Sequence, residues 1–118
     1  MASNLKRNTI ELVKEVKEGE VITETYITPV FMDFSAVYIA TDLMEDVAKN
    51  PGKKTERQIV SELADFVANV VYKGQFTKEE LQNGLHAPNA VDTLYSQVLF
   101  IVRGEQSDET KKFLAKKR

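Results

Sequence analysis

The sequence predicts a mainly α fold: a small helical bundle of three long helices plus short ones, with an extended or β-hairpin N-terminal arm. Three observations point there. Apolar residues recur at helical spacing in three separate stretches. Thr55 and Thr77 are each followed three residues later by Gln or Glu, the pattern in which two side chains satisfy backbone donors of a first helical turn. Residues 21–28, Val-Ile-Thr-Glu-Thr-Tyr-Ile-Thr, are rich in the β-branched and aromatic side chains that favour extended chain.

Residues 1–8 are polar and read as a loose end. In residues 9–18, Ile10, Val13 and Val16 recur every three positions, as on a helix, while Ile10, Leu12 and Val16 also share one face of a strand. Period alone leaves both open, so residues 9–28 are either a hairpin or a helix followed by an extended arm. Glu18-Gly19-Glu20 breaks the segment, and Pro29 holds Thr28 extended.

From Asp33 onward the pattern is helical. Asp33 is the expected N-cap of a first helix, about 34–49, with Phe34, Val37, Tyr38, Thr41, Met44 and Ala48 as its apolar stripe. Asn50-Pro51-Gly52 ends it. The Thr55/Gln58 box opens a second helix, about 56–73. Its stripe of Ile59, Leu63, Phe66, Val67, Val70 and Val71 is the strongest in the chain, and Gly74 closes it. The Thr77/Glu80 box opens a short helix ending near Gly84. Pro88 then pre-sets the first turn of a third long helix, about 89–103, with Val91, Leu94, Tyr95, Val98, Leu99 and Val102 in its stripe and Gly104 after it. Ser107 is placed to cap a last short helix that is acidic at its start and basic at its end. Leu63, Phe66, Val67, Val70, Leu94, Tyr95 and Val98 are the expected core.

A chain of 118 residues suits one domain, here an arm (1–32), a helical core (33–104) and a basic C-terminal helix or tail (105–118). Apolar residues make up 42% and charged residues 29%, and the net charge is −2, so no global charge bias calls for nucleic acid or an anionic membrane. The longest uncharged apolar run, Val98–Val102, is far short of the roughly 20 residues of a membrane span. The first residues carry no secretory apolar core, and there is no cysteine. A soluble cytoplasmic protein is the expectation.

Nothing in the pattern supports catalysis. His86 is the single histidine and lies in a loop before a proline, without a partner held beside it. No phosphate-binding loop, nucleophile elbow or zinc-binding pair is present. The carboxylates at Asp42, Glu45 and Asp46, and at Glu79 and Glu80, read as solvated helix faces, so no metal or cofactor is expected. Five positive charges fall within residues 111–118; a small helical nucleic-acid-binding regulator is the alternative they raise, although no long helix carries a basic stripe. The informative side chains are apolar. Tyr26, Ile27, Phe31, Met32 and Phe34 fall within nine positions around Pro29, more bulk than a small core readily absorbs, and aromatic and methionine side chains favour partner contact. These five are the candidate partner-binding residues.

The order of motifs adds a resemblance. Glu62-Leu63-Ala64-Asp65-Phe66-Val67, then Gln75-Phe76-Thr77-Lys78-Glu79-Glu80-Leu81 and Gly84-Leu85, resembles tail assembly chaperones of siphophages that infect Gram-positive bacteria. Thr25-Tyr26-Ile27-Thr28-Pro29-Val30-Phe31 is similar to the stretch preceding the first long helix of that family. The similarity spans about residues 20–103. It departs at Lys73-Gly74-Gln75-Phe76, where an asparagine-containing turn is more usual. The resemblance implies a protein that binds the tape measure protein and keeps it soluble until tail tube subunits assemble around it. It also implies action in the host cytoplasm and absence from the mature virion, and a small chaperone facing so long a client is expected to line up several copies as a homo-oligomer. Many members have a frameshifted longer form that recruits the tail tube protein, and this chain looks like the short form.

Overall fold

The computed structural model describes residues 5–50 and 52–116. Among them, strands β1 (Thr9–Lys17) and β2 (Glu20–Ile27) are followed by helices α1 (Ser35–Lys49), α2 (Glu56–Phe66), α3 (Lys78–Gly84), α4 (Ala87–Arg103) and α5 (Asp108–Lys116). The fold is mainly α, with 58% of residues helical.

Residues 9–28 are the hairpin, not the helix. β1 and β2 pair antiparallel from Thr9↔Ile27 to Lys17↔Glu20, with a bulge between Val13 and Glu15. The two-residue turn has positive φ at both positions, 53° at Glu18 and 82° at Gly19, the geometry whose twist matches a hairpin. Ile10 and Leu12 point from β1 into the core, and beyond the bulge every residue of the hairpin is solvent-exposed.

The helix starts follow the sequence closely at two places. Thr55 and Thr77 both form complete capping boxes with Gln58 and Glu80. The Thr77 backbone amide holds the Glu80 carboxyl below the ordinary carboxylate range. Asp33 behaves differently from expectation. The N-cap position of α1 falls on Phe34, which has no side chain to cap with. The Asp33 carboxylate instead accepts from the Ser35 hydroxyl, which lowers its pKa, and its carbonyl accepts from the Ala36 amide at 3.2 Å. At the other end Asn50 takes the left-handed C-cap conformation and its side chain bonds the Lys54 backbone in both directions at 2.7 Å. Pro51, expected to help end this helix, lies outside the described residues, as do Lys117 and Arg118 of the basic end. Lys54 then reaches Asp46 of α1 and Glu62 of α2, each at 2.8 Å, which raises its pKa and joins the two helices.

The second helix is not one long α-helix. α2 runs for 11 residues and passes into a π-helical turn, Val67–Val71, closed by the Tyr72 amide on the Val67 carbonyl at 3.1 Å. The wider turn brings Val67, Ala68, Val71 and Tyr72 inward together, and all four are buried. α1 packs on α2 and α4, α2 packs on α4, and β1 lies across α3. Gly84 makes that last contact possible: a Cβ there would stand 2.9 Å from the Leu12 Cβ and 3.2 Å from the Val13 carbonyl oxygen. Its role is close approach to β1; the helix stops one residue later, at an extended Leu85.

Of the expected core, Leu63, Phe66, Val67, Leu94 and Val98 are buried, and Val70 and Tyr95 are half-buried. The face of α1 is turned from the expected one. Ala36, Ala40 and Leu43 are buried, while Phe34, Tyr38, Thr41 and Ala48 face solvent. Small residues let α1 approach its neighbours closely, and the two large rings are left outside.

Candidate functional site

The turned face of α1 creates the most unusual surface of the molecule. Phe31 is 66% exposed, Phe34 67% and Tyr38 63%, values that isolated core-forming aromatics do not show. Phe34 and Tyr38, one helical turn apart, stack edge-to-face with ring centres 5.2 Å apart. Beside them a groove of about 520 Å³ runs between the arm, α1 and the end of α4. Ala36 and Phe100 are its buried floor, Met32, Val37 and Ile101 are half-buried walls, and Leu5, Val30, Phe31 and Phe34 form an exposed apolar rim. Lys6 and Asp33 supply the charges at its margin, and Lys6 donates to the Gly104 carbonyl at 3.2 Å.

The arm is held in place from behind, so the groove has a fixed wall. The Arg7 guanidinium donates to the Thr28 carbonyl at 2.8 Å, and the Asn8 amide donates to the Thr28 hydroxyl at 3.0 Å. Gln75 donates to the Ile27 carbonyl at 2.8 Å. These bonds anchor the chain just before Pro29, and Val30 and Phe31 then project outward.

The five residues singled out from the sequence divide accordingly. Phe31, Met32 and Phe34 line the groove. Tyr26 turns to the body of the protein, packing edge-to-face on Phe76 at 4.9 Å with the Lys14 ammonium 5.0 Å from its ring centre. Ile27 is half-buried on β2 and does not reach the groove. Leu5, Val30, Tyr38, Phe100 and Ile101 were not singled out. The face of α1 bearing Tyr38 turns acidic at Asp42 and Glu45, which marks it in the sequence as a solvent face.

A larger cleft of about 760 Å³ lies between β1, α4 and α5. Most of the residues lining it carry hydroxyl, amide or carboxylate side chains, beside Ile10, Val13, Leu85, Leu99 and Phe113, and several polar groups already bond one another: Thr9 meets Thr110 at 2.8 Å and Gln97 donates to the Thr9 carbonyl at 2.9 Å. His86, at the N-cap of α4, is exposed and makes no side-chain cap. Among the described residues no three His, Cys, Asp or Glu side chains are grouped to hold a metal ion. What the surface can do is cover apolar groups of another chain.

Comparison with known families matches residues 4–118 to the family described as phage tail chaperone protein. The chain belongs to that family. No curated protein and no solved structure matches it. A phage tail chaperone acts in tail assembly and interacts with tail proteins. Among the described residues no helix is long and apolar enough to cross a membrane.

Proposed function

We propose that this phage tail chaperone binds the tape measure protein through the groove between the arm, α1 and α4, and keeps it soluble in the host cytoplasm until tail tube subunits assemble around it. The observation that carries the reading is the exposed apolar rim of Leu5, Val30, Phe31 and Phe34 over a buried floor. A monomeric soluble protein rarely leaves such a patch uncovered without a partner for it. An apolar stripe of a client helix is the complementary shape, since helix-in-groove contacts use side chains at i, i+3, i+4 and i+7.

A chaperone must also release its client. One small groove gives a modest affinity, and several copies along one long chain strengthen the whole without any single contact being tight. Homo-oligomers, a frameshifted longer form that brings in the tail tube protein, and absence from the finished virion belong to the same proposal. The test is co-expression of the tape measure protein with this chain, followed by measurement of the soluble fraction and of co-purification. The wild-type chain should hold the client in the supernatant, and Phe31→Ser/Phe34→Ser should not, while its circular dichroism is unchanged. A tape measure protein equally soluble with and without this chain would overturn the proposal.

A further inference from the structure

The groove continues onto α1, and the continuation is acidic. Phe34, Tyr38, Asp42 and Glu45 follow one another at steps of four, four and three residues on the exposed side of the helix. At 1.5 Å per residue they span about 16 Å, three turns, so a second helix laid along α1 meets all four. The first two positions are aromatic and the last two are carboxylates. Asp42 and Glu45 are exposed and neither is in an ion pair among the described residues, unlike Asp46, which Lys54 holds at 2.8 Å on the flank towards α2. Lys49 lies one turn beyond Glu45 and closes the strip.

We infer that the partner segment taken by this surface is an amphipathic helix with a two-part face: an apolar half that fills the groove and covers Phe34 and Tyr38, and a basic half, one to two turns further along, that meets Asp42 and Glu45. The inference rests on the groove being the client site and adds the client's charge. An apolar contact alone accepts any greasy helix in any register, whereas unpaired carboxylates at one end penalise acidic helices and fix the direction in which a basic one lies. A chaperone facing many apolar surfaces during assembly gains selectivity from that arrangement, and contacts made at the solvent-exposed rim still allow release.

The experiment uses the full chain and fluorescein-labelled helical peptides of about 18 residues, long enough to lie along the groove and α1 together. One carries leucines at i, i+3, i+4 and i+7 in one half and lysines along the same stripe in the other. A second has glutamates in place of the lysines, and a third has the leucines replaced by glutamine. Fluorescence anisotropy at low salt should show the leucine–lysine peptide binding about three- to tenfold more tightly than the leucine–glutamate one, the scale of two exposed ion pairs against two repulsions. The ratio should collapse near 1 M salt, where the screening length is about 3 Å. Asp42→Lys/Glu45→Lys should invert the preference, which separates this site from general attraction of a basic peptide to an acidic protein. The glutamine–lysine peptide should bind weakly despite its positive charge. Equal binding of the lysine and glutamate peptides, or a preference that survives in the double variant, overturns the basic half and leaves the apolar groove standing as the client site. Failure of every leucine-bearing peptide to bind overturns the groove as a helix site, and this inference with it.

Discussion

The Tyr72 hydroxyl donates to the side-chain oxygen of Gln97 at 2.7 Å inside the core, joining the end of the π-helical turn to the middle of α4. The same oxygen accepts from the Asn8 side-chain Nδ2 at 3.0 Å, and the Gln97 nitrogen donates to the Thr9 carbonyl at 2.9 Å. One glutamine therefore ties the second helix, the fourth helix and the segment leading into β1. No buried side-chain polar atom among the described residues lacks a partner. Gln97→Leu strips the partner from three groups at once and is expected to destabilise the protein by about 2–4 kcal/mol, because buried donors and acceptors left unpaired cost more than the bond itself contributes. Tyr72→Phe removes one bond without leaving the glutamine empty-handed, so about 1 kcal/mol is expected. Urea unfolding of both variants measures the difference; equal midpoints for Gln97→Leu and the wild type would show that the network contributes nothing.

Burial has a second consequence at Tyr72. It pushes the phenol pKa well above its usual value near 10. The folded state favours the neutral phenol, so the unfolded state loses its proton first as pH rises. The stability linked to this group is complete below about pH 10 and is progressively lost above it, through the raised folded pKa. The wild type should show a falling melting temperature above pH 10 that is shallower in Tyr72→Phe. Identical alkaline slopes would show that Tyr72 ionises as easily folded as unfolded.

What was legible in the sequence was local. The two capping boxes, the ends of α1 and α4 at Asn50 and Gly104, and the Ser107 cap of α5 depend on residues within four positions of one another, and each stands where expected. What was not legible depended on neighbours distant in the chain. The stripe Phe34, Val37, Tyr38, Thr41, Met44 and Ala48 marks the apolar face that α1 shows in sequence, yet close packing of the helix selected Ala36 and Ala40. Residues 21–28 read as extended, but residues 9–18 could not be told from a helix until Leu12 met α3, and nothing in residues 67–71 alone announces a π-turn. At the candidate site, the sequence located Phe31, Met32 and Phe34, but α4's contribution of Phe100 and Ile101 is purely tertiary.

Gly84 offers a direct check on how tightly the hairpin is seated. Alanine would gain a little helix propensity at the end of α3, up to about 1 kcal/mol. It would also push a methyl to 2.9 Å from the Leu12 Cβ and 3.2 Å from the Val13 carbonyl oxygen, neither of which is the far end of a flexible side chain. Overpacking wins, and Gly84→Ala should destabilise the protein by about 1–2 kcal/mol. A raised melting temperature would mean that the hairpin moves off α3 freely.

Four aromatic residues separate stability from client binding. Phe66 is 3% exposed and packed within the core, so Phe66→Ala should cost about 3–5 kcal/mol by leaving a cavity. Tyr26, on the arm, is only half-buried, but its ring rests on Phe76, which is buried, and carries the Lys14 ammonium above it. A polar residue at Tyr26 therefore loses an aromatic contact and packing area, about 1–2 kcal/mol, before any partner is considered. Phe31 and Phe34 lie within eight residues of Tyr26 in the chain and are two-thirds exposed. Changing them to serine should move stability by no more than about 0.5 kcal/mol, yet lower client binding at least tenfold, about 1.4 kcal/mol. The comparison turns on the ratio of two effects measured for each variant, a melting temperature and an affinity. Phe66→Ala and Phe31→Ser/Phe34→Ser should sit at opposite extremes, with Tyr26→Ser between them and closer to the core. If the serine pair unfolds the protein, the rim is core after all; if it folds normally and binds the client undiminished, the chaperone works through another surface, and the exposed Val16, Val21 and Ile22 near the hairpin tip become the next one to test.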